Sequence, residues 1–135
     1  MITGGKINAV EAKKLKEGEA ASGLNVNVNI EDLKVEKNRV VVKYTYSVDY
    51  SPSVGEIKVM GELYLDDKNG RELEDKWKKN KHLEPALAEE LLAAITYAGM
   101  TTGTLMAFAV NIQAPINVPR ARINAPSEQK PHAAG

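Results

Sequence analysis

The chain has no cysteine. That removes disulfides, zinc–thiolate centres and cysteine nucleophiles together, and it fits a reducing compartment. Histidine is nearly absent too, with His82 and His132 the two examples. His82 stands in a run of lysines and reads as solvated surface, because a lone histidine lacks the partners that a base or a ligand needs. No His–x–x–x–His pair, Gly-rich phosphate loop or Gly–x–Ser–x–Gly elbow occurs. Glu89 and Glu90 open a helix, where negative charge is favourable, and Asp66 and Asp67 sit in a turn. We therefore expect no catalytic residues, no metal ligands and no cofactor. Net charge is also missing: 18 basic residues balance 18 acidic ones, whereas a nucleic-acid binder carries a basic surplus. Met1 to Gly23 holds no apolar stretch behind a basic end, so no signal peptide is expected and a cytoplasmic location is.

The longest absence is local. From Leu91 to Pro119 there is not one charged side chain. The run grows out of Pro85, suited to a first helical turn, followed by good helix formers. The reading is one long helix from Pro85 to Asn111, ended by Pro115 and Pro119. Its apolar surface must be covered by a core, another subunit or lipid. Leu91 to Val110 has the length of a membrane span, but its threonines and glycines, and flanks without a basic cluster or aromatic belt, argue against one. Gly99, Gly103 and Ala107 recur every four residues. Such a stripe allows close backbone approach, by helix-on-sheet or helix-on-helix packing. We expect it to form the interface of a homo-oligomer, a dimer or tetramer.

What precedes the helix is patterned in twos. Leu24, Val26, Val28 and Ile30 alternate with Asn25, Asn27 and Asn29, which gives a strand with one buried and one wet face. Arg39 to Tyr50 is a second strand, with Val40, Val42, Tyr44, Tyr46, Val48 and Tyr50 on one face. Glu56 to Leu65 is a third. Short polar turns between them imply antiparallel neighbours. Arg71 to Lys81 is charge-dense, with Leu73 and Trp77 four apart as on a short helix. Lys6 to Glu17 is ambiguous: Asn8 is placed to cap a helix, yet apolar anchors are few, and pattern alone leans to a short helix. The length, 135 residues, suits one domain, taken here as residues 1–123, with a mobile polar tail over 124–135.

This order of elements resembles the SecB family of protein-export chaperones. Lys6–Ile7–Asn8–Ala9–Val10 resembles that family's opening strand, so the resemblance favours an edge strand there. The strands at Leu24, Arg39 and Glu56 look like the next three. Pro85 followed by Glu89 is similar to the family's helix opening, and Asn111–Ile112–Gln113–Ala114–Pro115–Ile116–Asn117 to its post-helix segment. The family's Arg–Gly–x–Phe–Pro helix break is missing, and Gly99 stands near its place, so the helix here runs on. The resemblance implies an α+β fold: an antiparallel three- to four-stranded β-meander with one long C-terminal helix packed on one face. It also implies binding of unfolded or extended polypeptide. From their capacity for exposure, and from no family motif, Tyr44, Tyr46, Tyr64 and Trp77 are the expected client contacts. A structural or assembly protein of this fold, a chaperone dedicated to one partner of toxin–antitoxin type, and a membrane-attached protein are the alternatives.

Overall fold

Alternation in the sequence becomes a four-stranded antiparallel sheet in the structure, a computed structural model that describes residues 1–66 and 68–115. The strands are β1 (Ile2–Lys14), β2 (Gly23–Glu36), β3 (Arg39–Ser51) and β4 (Gly55–Leu65). Two helices follow, α1 (Gly70–Asn80) and α2 (Pro85–Ala109). Asp67, the segment Ile116–Pro119, His132 and the expected tail over 124–135 lie outside the described residues.

The sheet order is β1-β4-β3-β2. The expected meander therefore holds for β2, β3 and β4, while the first strand crosses to the far edge and pairs with β4. Lys6 to Lys14 is strand and not helix, as the family resemblance implies and local pattern alone does not. The crossover from β1 to β2 runs past the end of the sheet, where the amides of Leu15 and Lys16 donate to the Val54 carbonyl at 2.8 and 3.2 Å. The β2–β3 hairpin closes through Lys37 and Asn38, with φ of 49° and 66°. Two successive left-handed residues match the twist of the paired strands.

The core lies between the sheet and α2. Val42, Tyr44, Tyr46 and Val48 of β3 stand opposite Leu63, Gly61, Val59 and Ile57 of β4, and all these apolar side chains are buried. Gly61 is required by a close approach: a Cβ there would come within 2.6 Å of the Tyr44 hydroxyl and 2.5 Å of the Lys6 carbonyl. On the opposite face the strands carry ion pairs at the surface, Lys6–Glu62 at 3.7 Å and Lys13–Glu56 at 3.6 Å.

α1 buries Leu73 and Trp77, the stripe seen in the sequence, and ends at Lys81 in the left-handed region. α2 starts at Pro85 and buries Leu91, Ile95, Gly99, Gly103 and Ala107 against the sheet. It stops at Ala109, six residues before Pro115, with Asn111 at a φ of 58°. The chain then folds back. The Ile112 amide donates to the Ala107 carbonyl at 3.0 Å, and the Tyr50 hydroxyl donates to the carbonyl of Gln113.

Candidate functional site

The two edges of the sheet are built differently. β1 carries Lys6, Glu11, Lys13 and Lys14, and its pairing is broken by irregularities between Ile2 and Gly4 and between Ile7 and Ala9. Charges and bulges of this kind discourage further strand pairing. β2 from Gly23 to Ile30 carries no charge and no proline, and it keeps regular register from Gly23↔Ser51 to Ile30↔Tyr44. The shift between Ile30 and Asp32 comes only after this stretch. In an antiparallel ladder, every second residue of an edge strand turns its N–H and C=O away from its neighbour. Among the described residues, no further strand pairs with the outer side of β2.

The side-chain faces of this stretch differ as sharply. Leu24, Val26, Val28 and Ile30 lie on the helix side of the sheet, in register with Tyr50, Val48, Tyr46 and Tyr44. α2 does not reach far enough to cover them all. Ile30 and Val28 are half-buried, while Val26 is 44% and Leu24 38% exposed. Asn25, Asn27 and Asn29 are exposed on the other face. The arrangement is a bare strand edge, apolar above and amide-lined below, about 26 Å long at ~3.3 Å per residue.

The far half of the same edge is closed. Glu74 of α1 accepts the Val35 amide hydrogen through Oε2 at 2.6 Å. Its other oxygen, Oε1, takes a hydrogen bond from Lys78 Nζ at 3.4 Å. The backbone bond, aided by Lys78 and by the charge of Arg71, holds the Glu74 carboxyl below the usual glutamate range. Gly70 fixes α1 against the hairpin: a Cβ there would meet Val40 at 3.0 Å and Val35 at 3.3 Å.

A second uncovered surface lies along α2. Tyr97 is 76%, Leu105 67% and Phe108 66% exposed. Tyr97, Met100, Thr101, Thr104 and Leu105 line an almost wholly apolar depression of about 430 Å³. Both threonines turn their hydroxyls inward: Thr101 donates to the Tyr97 carbonyl and Thr104 to that of Met100, each at 2.7 Å. With its polar atoms satisfied by the helix itself, this face presents methyl groups and rings. α2 is also long and apolar enough to cross a membrane by length and composition; here its glycine stripe rests on the sheet.

The residues expected from sequence to meet a client fall elsewhere. Tyr44 and Tyr46 are buried on the inner face, because the long helix covers the same side of β3 that their alternation selects. Burial pushes both phenols up, and Tyr50 beside them to about 12. Trp77 is buried under α1, with Lys81 Nζ 5.0 Å from its ring centroid. Tyr64 lies on the opposite face, under the Arg39 guanidinium at 3.7 Å from its ring centroid. The expected interface of Gly99, Gly103 and Ala107 also needs correction. The stripe faces inward, with Gly99 against the Tyr46 ring and Gly103 beside Pro115 and Ile57. Small residues there serve helix-on-sheet packing within the chain, so a subunit contact through α2 would use the other side. Among the described residues, no three His, Asp or Glu side chains cluster as metal ligands would.

No protein-family model matches the chain, and no curated protein matches it significantly. Among solved structures it is similar to the SecB-like chaperone Rv1957 of Mycobacterium tuberculosis, in complex with a ChAD peptide from the Rv1956 HigA1 antitoxin. The match has a TM-score of 0.58 and 11% identity, and covers 90% of each chain. At that identity the likeness speaks for architecture alone, and it agrees with the order of elements: the chain has the SecB-like fold, a four-stranded antiparallel sheet followed by C-terminal helices.

Proposed function

We propose that the protein is a SecB-like chaperone that holds extended segments of non-native polypeptide, without catalysis or cofactor. The observation that carries this reading is the bare, uncharged and regular edge of β2 from Gly23 to Ile30, with Leu24 and Val26 exposed beside it. An edge of this kind is a template for another strand, and proteins normally blunt it. β1 is blunted and β2 is not. An extended client segment would gain backbone hydrogen bonds from the edge, indifferent to sequence, and apolar contact on alternate side chains. Leu24, Val26 and Val28 thus replace the buried tyrosines as the proposed client contacts. The peptide complex of the structurally similar Rv1957 supports the reading.

The outer face of α2 is the proposed subunit contact. A charge-free stripe through Tyr97, Leu105 and Phe108 suits a self-complementary, two-fold helix pairing, and an assembly of several edges would multiply weak contacts with one client. The proposed location is the cytoplasm. The test is suppression of aggregation with several unrelated unfolded clients. Protection of most supports a general chaperone. Protection of none would overturn it. Protection of a single partner would favour the second reading, a dedicated chaperone of toxin–antitoxin type, which rests on the antitoxin peptide bound to Rv1957.

A further inference from the structure

The edge of β2 is divided, and the division has a chemical cause. β2 runs for 14 residues, yet among the described residues its outward backbone is open over Gly23–Ile30 and taken at Val35 by the Glu74 carboxylate. Between them the register shifts, which bends and twists an edge strand. Glu74 is no incidental neighbour of this amide. Leu73 and Trp77 bury the inner side of α1, Gly70 sets its first turn hard on Val35 and Val40, and Lys78 holds the second carboxylate oxygen. An anionic acceptor on a backbone N–H makes a stronger bond than the neutral carbonyl of an incoming strand could offer in exchange.

We infer that Glu74 is a strand stop: it occupies the outward amide of Val35, so that an added client strand pairs with Gly23–Ile30 and ends there. This rests on the polypeptide-binding reading above and names what that site accepts. The occupant is an extended segment of about eight residues, matching the open edge. Its side chains alternate, apolar toward Leu24 and Val26, polar and uncharged toward Asn25 and Asn27. Glu74 touches no client in this scheme; it positions the end of the bound strand.

The experiment is a length series of alternating valine–threonine peptides, of six to fourteen residues, titrated against the full chain and three variants. With the native chain, affinity should rise to about eight residues and then level. Glu74→Ala and Glu74→Ser, too short to reach Val35, should let affinity rise further, making the twelve-residue peptide roughly fivefold tighter, as one added hydrogen bond would. Glu74→Gln keeps only a neutral acceptor and should lie between the native plateau and the Ala and Ser chains. Amide exchange at Val35 gives an independent readout: slow in the native chain, intermediate in the Gln chain, fast in the Ala and Ser chains, and slow again in the Ala and Ser chains once the long peptide is bound. An unchanged plateau in the Ala and Ser variants, with Val35 exchanging fast, would overturn the stop while leaving polypeptide binding intact. Failure of the native chain to bind any peptide would overturn that reading, and the stop with it.

Discussion

Gly99 of α2 lies directly on the ring of Tyr46: a Cβ at position 99 would overlap three of its ring atoms. The glycine and the tyrosine are complementary parts of one contact, and the contact sets how closely the long helix approaches β3. Gly99→Ala gains about 1 kcal/mol of helix propensity but forces a methyl group into a fully buried ring. The net effect should be destabilising by roughly 1–3 kcal/mol, the usual range for overpacking. Gly103→Ala is the control. Its Cβ would meet Pro115 at 3.2 Å and Ile57 at 3.8 Å, so it should be close to neutral. Denaturant midpoints of the two variants test the contrast.

The Tyr46 hydroxyl is buried and finds no hydrogen-bond partner among the described residues. A buried polar group left in that state costs about 1–3 kcal/mol. Tyr46→Phe removes the group and keeps the ring against Gly99. It should leave stability unchanged or raise it by up to ~1 kcal/mol, as read by chemical denaturation.

Much of this architecture was legible in the sequence, and the limits have physical reasons. Leu24–Ile30 and Arg39–Tyr50 alternate so strictly that strand and face follow directly. Pro85 and the charge-free run mark the start and the burial of α2. Which strand pairs with β1 is not a local property, and residues 6–17 carry too few apolar anchors to suggest it. Alternation puts Tyr44, Tyr46 and Tyr50 on one face, as the structure shows, but it does not say which face the helix takes. The pairing of large rings on β3 with glycines on the helix was the available hint. β2 was recognisable as a strand; its status as a bare edge depends on sheet order. Glu74, one acid in a charge-dense helix, gave no sign of its bond to Val35.

Acid should loosen α1 before it touches the core. Glu74 is held below the usual glutamate range, first by the Val35 amide and then by Lys78 and Arg71. A depressed carboxyl contributes stability that is fully present above its unfolded value, about 4.3, and is lost as pH falls through the lower folded value. Exchange at the Val35 amide, corrected for intrinsic rate, should be constant from pH 7 to 5 and accelerate below about 4.3. Glu74→Gln should remove that acid limb.

Assembly should respond to the outer face of α2 and not to the glycine stripe. Replacing Tyr97 and Leu105 together with aspartate places two charges on a face that is otherwise uncharged. Mass in solution should fall toward that of the single chain, while the melting temperature of the isolated subunit changes little, because both side chains are exposed. Light scattering coupled to size exclusion reads the first and calorimetry the second.

The most direct measurement is site-resolved amide exchange of residues 23–30, with and without an unfolded client. Binding should slow exchange at alternate residues along this edge, and leave β1 unchanged. Val26→Lys should weaken client binding at least tenfold while preserving the fold. Protection that appears on β1 or the polar sheet face, with residues 23–30 unaffected, would contradict the assignment of the β2 edge as the binding surface.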